Sequence, residues 1–394
     1  MIMAVRNMVA TAAAQRAYPP FSLGRLLRTV FDPTNGKRAC ILIDLDDLSL
    51  MKDYGFLSDQ TCRIQRTAHE VFFRGLRDGV LDELGMRGGE MYAYATTYGS
   101  NRDLPETVVD ADGAVRGFEE HIYSRYDLIL CISTYSATAP LTAFAKQYGL
   151  RGATMHGVND VILRTGLSVD YNEVSRDAEN LRLAMTRADE IEIDFALEDG
   201  RILTASLELG GQEAQKSHGL CRGETPDIAN LPAGEVYFVP TSAHGEFPMK
   251  YEDGTLGVLT VRDGSVVNSH RISGDQETVD AHNRRLADDA MTGVLGELGF
   301  GTQILPYSGS DIQDEKILGT CHLATGRDDH LGGHIEPSMF KLRENATHDD
   351  ILFAPHKTPN FDIVQARMRR GSRREILIEH FDPSDYLMNA LDRS

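Results

Sequence analysis

Short apolar runs alternate with helix-forming stretches through the first half of the chain, and this alternation constrains the fold more than any other feature. The run ACILIDL at residues 39–45 is typical of a buried parallel strand. The predicted elements of this half are strands over 39–45, 91–97, 127–132 and 151–156, and helices over 61–84 and 140–148. Such βα alternation predicts an open α/β sheet.

The pattern changes further along the chain. A helix with one apolar stripe is predicted over 170–189 and another over 275–295, while the turns at Glu198-Asp199-Gly200 and Asp263-Gly264 predict two hairpins. A polar stretch with glycine and proline at 217–228 then predicts a domain boundary. We therefore expect an N-terminal α/β domain over 1–225 and a C-terminal α+β metal-binding domain over 226–394.

Charge and cysteine content restrict the partners and the compartment. The 59 acidic and 40 basic residues give a formal net charge of −19, which argues against nucleic acid or an anionic membrane surface as a partner. The five cysteines show no CxxC spacing and favour a reducing compartment. No apolar run is long enough for a membrane span, and the first 20 residues do not read as a signal peptide. The prediction is a cytoplasmic protein.

Five residues of the kinds that bind metals occur in order along the last 160 residues, each within a short phrase that could be a strand or a turn. They are Glu235, Glu297, His322, His348 and Asp350. Imidazole nitrogen and carboxylate oxygen bind borderline divalent ions, and five such ligands suffice for two of them. Taken singly, each has a plain alternative reading, such as a solvated carboxylate or a core histidine. The ordered set predicts a metal centre.

The phrases that carry these residues resemble the family of aminopeptidase T-like metallopeptidases. Asn-Leu-Pro-Ala-Gly-Glu-Val at 230–236 is the most recognisable signature, and the resemblance weakens before residue 120. It implies a two-domain metalloaminopeptidase-T-like fold, a homodimer, and two divalent ions such as zinc, cobalt, manganese or magnesium on the five residues. Metal-activated water would then cleave a C–N bond in a short peptide or a small molecule.

One position departs from the family pattern. The family has a tyrosine seven residues after the histidine of Gly-Thr-Cys-His, where this chain has Asp329. An ionised carboxylate cannot donate a hydrogen bond to an oxyanion, so ordinary peptide hydrolysis is disfavoured. Asp329 and His330 are instead candidate catalytic residues, acting as a base, an extra ligand or a substrate-reading pair.

Two relatives of the same superfamily give the alternatives. One branch resembles 5-nitroanthranilate aminohydrolase, and that resemblance implies a metallohydrolase acting on an aromatic amine. The other resembles 2,5-dihydroxypyridine dioxygenase, a mononuclear Fe(II) enzyme that has a histidine where this chain has Glu297. The expected function is therefore hydrolysis of a C–N bond, with an Fe(II)-dependent ring-cleaving dioxygenase as the alternative. A non-catalytic protein that binds metal or peptide is the second alternative.

Overall fold

The computed structural model describes residues 8–392. The α-helices are α1 (Met8–Gln15), α2 (Leu23–Phe31), α3 (Arg63–Thr67), α4 (Leu81–Glu83), α5 (Thr138–Tyr148), α6 (Asp160–Arg164), α7 (Tyr171–Met185), α8 (Gln276–Asp288), α9 (Asp311–Asp314) and α10 (Asp385–Leu391). The strands are β1 (Arg38–Leu45), β2 (Arg87–Ala95), β3 (Thr107–Val109), β4 (Val115–Gly117), β5 (Leu128–Cys131), β6 (Arg151–Thr154), β7 (Glu190–Leu197), β8 (Ile202–Glu208), β9 (Gln215–Ser217), β10 (Asp227–Asn230), β11 (Glu235–Phe238), β12 (Ser242–Lys250), β13 (Leu256–Arg262), β14 (Ser265–Ser273), β15 (Leu295–Gly301), β16 (Cys321–Gly326), β17 (His348–Phe353), β18 (Phe361–Arg370), β19 (Arg373–Glu379) and β20 (Asp382–Pro383).

The first sheet is open and mostly parallel, as the βα alternation predicts. Its strand order is β10-β6-β5-β1-β2-β3-β4, and the first five strands run parallel. Ile41 and Ile43 of β1 join one hydrophobic cluster, while Cys40 and Leu42 join a second cluster on the other face. Because both faces of β1 are covered, every position of its central run is apolar.

Two antiparallel sheets complete the fold. One has the order β17-β16-β15-β11-β9, and the other has the order β14-β13-β12-β8-β7-β18-β19-β20. The predicted hairpins correspond to β7–β8 and β13–β14, and the predicted helices to α7 and α8. Sheet membership crosses the boundary predicted at 225/226, because β7 and β8 belong with β18 while β10 extends the first sheet. The fold is thus a mixed α/β one with three sheets.

An aromatic cluster holds the two antiparallel sheets together. Phe353 of β17 is fully buried, and its ring centroid lies 4.6 Å from that of Phe195 and 6.4 Å from that of Phe247. Both partners belong to the eight-stranded sheet. No helix within residues 8–392 has the length and apolar character needed to cross a membrane.

Replacing Phe353 by alanine removes the ring that joins the two sheets. We expect the free energy of unfolding to fall by about 3–5 kcal/mol, because large-to-small changes in a core lose transfer energy and leave a cavity. Urea denaturation followed by circular dichroism measures this. Val267→Ala, at a side chain that is 46% exposed, is the matched control and should change stability by less than about 0.5 kcal/mol. Equal midpoints for the two variants would contradict this role of Phe353.

Candidate metal centre

Strand alternation brings the candidate ligands to one face of the five-stranded sheet. Glu297 on β15, Ala324 on β16 and Asp350 on β17 are aligned across the three strands. His322 and His348 each lie two residues from an aligned position, so they project from the same face. Small Ala324 between the two carboxylates leaves the space above the sheet open. Glu235 on β11 is paired with Gly301, which is again in phase with Glu297.

Glu297, His348 and Asp350 form the first group of potential ligands, with one ligand atom of each within 4.8 Å of the others. Nε2 of His348 is 2.9 Å from Oε2 of Glu297 and 3.3 Å from Oδ1 of Asp350. Nδ1 of His348 is 2.7 Å from the backbone carbonyl of Arg327. A carbonyl only accepts, so Nδ1 carries a hydrogen and Nε2 faces the two carboxylates. Metal-binding histidines are commonly oriented in this way.

Glu297 also belongs to a second group, with Glu235 and His322. Nε2 of His322 is 3.5 Å from Oε1 of Glu297, and its Nδ1 is buried with no hydrogen-bond partner among the described residues. Gly299 lies directly opposite His322 in the neighbouring strand, and a Cβ at this glycine would come within 2.1 Å of the imidazole. The glycine-rich sequence of β15 therefore makes the space that the ring of His322 occupies.

A buried lysine, which the sequence analysis missed, lies at the same site. Nζ of Lys316 contacts Oε2 of Glu235 and is 2.6 Å from Oε1 of Glu315. Both side chains of the Glu315-Lys316 pair are buried, and the two carboxylates raise the pKa of Lys316 against the opposing effect of burial. The only sequence signal was a charged Asp-Glu-Lys run between apolar residues, which normally indicates a solvated turn.

The electrostatics of the cluster favour a bound cation. Burial opposes charge on His348, but Asp350 and Glu297 raise its pKa well above the ordinary value. Burial also opposes charge on Glu297, yet hydrogen bonds from His322 and His348 hold its pKa well below the usual range. The carboxylates of the cluster therefore favour positive charge next to them. That charge can be carried by protonated imidazoles or by a metal ion between the imidazoles and the carboxylates. The chemistry of the donors fits a divalent ion.

The cluster lines a cavity of about 180 Å³ between the five-stranded sheet and the first sheet. The opposite wall comes from the carboxyl ends of parallel strands, where ligands bind in open α/β sheets. The residues of that wall include Asn101, Ser136, Thr138, His156 and Asn230. The sequence predicted a role for none of them, because these polar residues follow different strands and only the folded sheet brings them together.

The two predicted catalytic residues lie in different surroundings. His330 lines the cavity, and its ring packs edge-on against that of His348 with the centroids 5.0 Å apart. Burial lowers the pKa of His330 to about 3, so its ring is neutral. Asp329 is held by the guanidinium of Arg327 through two hydrogen bonds of 2.9 Å. Nη1 of Arg327 also donates to the backbone carbonyl of Asn101 at 2.9 Å, which links the two walls of the cavity.

Comparison with known proteins yields a match of structure. No protein-family model and no curated protein sequence matches the chain. A solved structure of 2,5-dihydroxypyridine dioxygenase from Pseudomonas putida KT2440 is similar to it, with a TM-score of 0.55 and 12% sequence identity over 96% of each chain. The two proteins therefore share a fold along nearly their whole length.

This comparison corrects the enzyme class expected from the sequence. The similar structure is that of a dioxygenase, which is an oxidoreductase, so the prediction of a metallohydrolase of the aminopeptidase or aminohydrolase type is wrong. The error arose because the phrases around Glu235 and His322 resemble those of a metallopeptidase family. The structural comparison instead shows a fold shared with a dioxygenase.

Glu297→Gln should weaken metal binding more than His322→Gln or Asp350→Asn, because Glu297 belongs to both groups of potential ligands. We expect a loss of at least about 100-fold in affinity, since even residues that only support a ligand contribute 10–100-fold. Elemental analysis and competition with a chelator measure content and affinity. Glu246→Gln on β12 is the control, and metal binding in Glu297→Gln equal to that of the control would rule out this centre.

Gly299→Ala should disturb the site without removing a ligand, because the new methyl group overlaps the ring of His322. We expect metal affinity to fall by about 10–100-fold, which is the usual effect of displacing a supporting group. Gly117→Ala is the matched control, because a Cβ there has no neighbour within 4 Å. Chelator competition on both variants is the measurement. An unchanged affinity in Gly299→Ala would show that the position of His322 does not matter for the metal.

Proposed function

We propose that this protein is an Fe(II)-dependent dioxygenase that opens a single hydroxylated six-membered ring of the dihydroxypyridine type. The observation that carries the proposal is that Glu297, His348 and Asp350, which could hold a metal ion, line a cavity of about 180 Å³. An apolar cavity of about 150 Å³ in another protein holds one benzene molecule. A cavity of this size therefore suits one substituted ring. The shared fold with 2,5-dihydroxypyridine dioxygenase is the second support.

The donor set suits iron, with one departure from the usual arrangement. Non-haem Fe(II) oxygenases commonly use two histidines and one carboxylate, with positions left open for other ligands. Here Glu297 stands where the sequence resemblance to the dioxygenase implies a histidine. His322, on the adjacent strand, brings a second imidazole to within 3.5 Å of Glu297. Glu297, His348 and Asp350 would hold the ion, and His322 and Glu235 would adjoin it.

When bound, ferrous iron would supply the one-electron chemistry that allows dioxygen to react with a closed-shell ring. The protein's own residues have separate tasks in this proposal. The carbonyl of Arg327 fixes the orientation of His348. His330 would orient the ring, because it lines the cavity and its Nδ1 has no hydrogen-bond partner among the described residues. Its neutral imidazole would accept a hydrogen bond from a ring hydroxyl, since a base with so low a pKa does not take the proton itself.

Asp329 has a positioning task in the same proposal. Its carboxylate is engaged by Arg327 in a paired arrangement that leaves it unsuited to accept a substrate proton. Arg327 in turn donates to the carbonyl of Asn101 on the opposite wall. Asp329 would therefore keep the segment that carries His330 in place above the metal group.

Anaerobic loading with Fe(II), followed by addition of 2,5-dihydroxypyridine and oxygen, tests the function. We expect about one iron per chain and the uptake of one dioxygen molecule for each ring consumed. An oxygen electrode and absorbance of the ring follow the two reactants. His330→Gln should lower kcat/KM by about 10-fold, because the amide does not place an acceptor where Nδ1 lies and one buried hydrogen bond is lost.

Zinc-loaded protein is the matched control, because zinc has no redox chemistry and should leave the ring intact. Iron-loaded protein that consumes neither oxygen nor any hydroxylated pyridine or benzene ring would refute the function. Retained activity in His330→Gln would refute the role of that residue alone.

A further inference from the structure

Asn230 lies on the wall of the cavity opposite Glu297, His348 and Asp350. It is the last residue of β10, and it pairs in register with Thr154 at the carboxyl end of β6. His156 follows two residues after Thr154, so the two polar side chains lie at adjacent strand ends. Both residues line the cavity. Burial lowers the pKa of His156 to about 4, and the charge of Asp350 acts on its ring in the opposite direction.

The side-chain amide of Asn230 is unusual because its oxygen accepts no hydrogen bond from residues 8–392. Its Oδ1 is buried and has no partner among the described residues, and Nδ1 of His156 is in the same situation. The large majority of buried side-chain polar atoms in proteins have a partner, and each exception calls for an explanation. The other amide on this wall, that of Asn101, already accepts hydrogen bonds from Oγ of Ser136 and the backbone N–H of Ala139. Asn230 is therefore the amide that remains available for a ligand.

An asparagine amide offers one acceptor and one donor side by side in a plane. That arrangement matches any planar ring edge with a donor next to an acceptor, as in the two-bond pairing of asparagine with adenine. A 2-hydroxypyridine presents such an edge in its lactam form, with a ring N–H beside a carbonyl oxygen. A benzene ring of the same size with hydroxyl groups has no ring N–H.

We propose that Asn230 reads the lactam edge of the substrate ring, with Oδ1 accepting from the ring N–H and Nδ2 donating to the ring carbonyl. Asn230 is thereby the residue that makes the protein prefer 2-pyridone-type rings to phenols of the same shape. This inference rests on the proposed function in one respect, that the ring enters this cavity. His156, at the adjacent strand end, is placed to contact a second polar substituent of the ring.

Anaerobic binding of 2,5-dihydroxypyridine and of hydroquinone to the metal-loaded protein tests the inference. The two molecules have nearly the same shape, and both bear para oxygens, but hydroquinone lacks the lactam edge. We expect wild-type protein to bind the pyridine compound roughly 10–100-fold more tightly, because hydroquinone leaves the amide unpaired. Calorimetry in the absence of oxygen gives both dissociation constants without any turnover.

Asn230→Ala should bind the two compounds with nearly equal affinity, while its metal content stays that of the wild type. Asn230→Asp keeps the shape and the acceptor but loses the donor, so it should also lose most of the preference. Asn360→Ala, at a residue that pairs with Glu198 far from the cavity, should keep the full preference. A preference that persists in both Asn230 variants, or is missing in the wild type, would overturn the inference. Selective binding without oxygen uptake would instead leave this inference standing and refute the dioxygenase.

Discussion

Carboxylates gathered on one face of a sheet constrain the rest of this site. Glu235, Glu297 and Asp350 lie on its strands, and Glu315, which follows α9, joins them at the cavity with Lys316 beside it. Charges removed from water are costly unless they are paired, so a site of this kind needs positive charge to be stable. The protein supplies part of that charge through Lys316 and through imidazoles. Under the proposed function, a metal ion held at Glu297 would supply the remainder.

The arrangement of the sheets converts this charged face into a site for chemistry. The carboxyl ends of the parallel strands close over the five-stranded sheet, and their polar side chains form the facing wall. One wall is acidic, and the other is formed mainly by amide, hydroxyl and imidazole groups, although Asp227 of β10 also lies there. The two walls can therefore have different functions. The acidic wall can hold an ion, and the amide and hydroxyl groups of the other wall can orient an uncharged ring beside it. Neither sheet could provide both functions.

Much of this could be predicted from the sequence, and the failures have physical causes. The run at 39–45 indicated a strand buried on both faces. The five residues predicted as ligands were chosen because each lies in a distinctive phrase, and the structure brings them into two adjoining groups. The buried lysine, Lys316, was missed because a charged run usually lies in solvent and only tertiary packing buries it here. Asn230 was noticed as part of a signature but had no role, since the absence of a partner for its amide is a property of the folded chain. The enzyme class was wrong because the same ligand types serve hydrolysis and oxidation alike.

Arg327 connects the two walls of the cavity. Its backbone carbonyl orients His348, while its guanidinium donates hydrogen bonds to Asp329 and to the carbonyl of Asn101 in the loop after β2. One residue therefore joins a metal-binding imidazole to the edge of a different sheet. Under the proposed function, an ion that fixes His348 would also restrict the loop at Asn101, and by reciprocity an ordered loop would favour the fixed imidazole to the same extent. Metal and substrate, which would contact opposite walls, would thereby be thermodynamically coupled through this one residue.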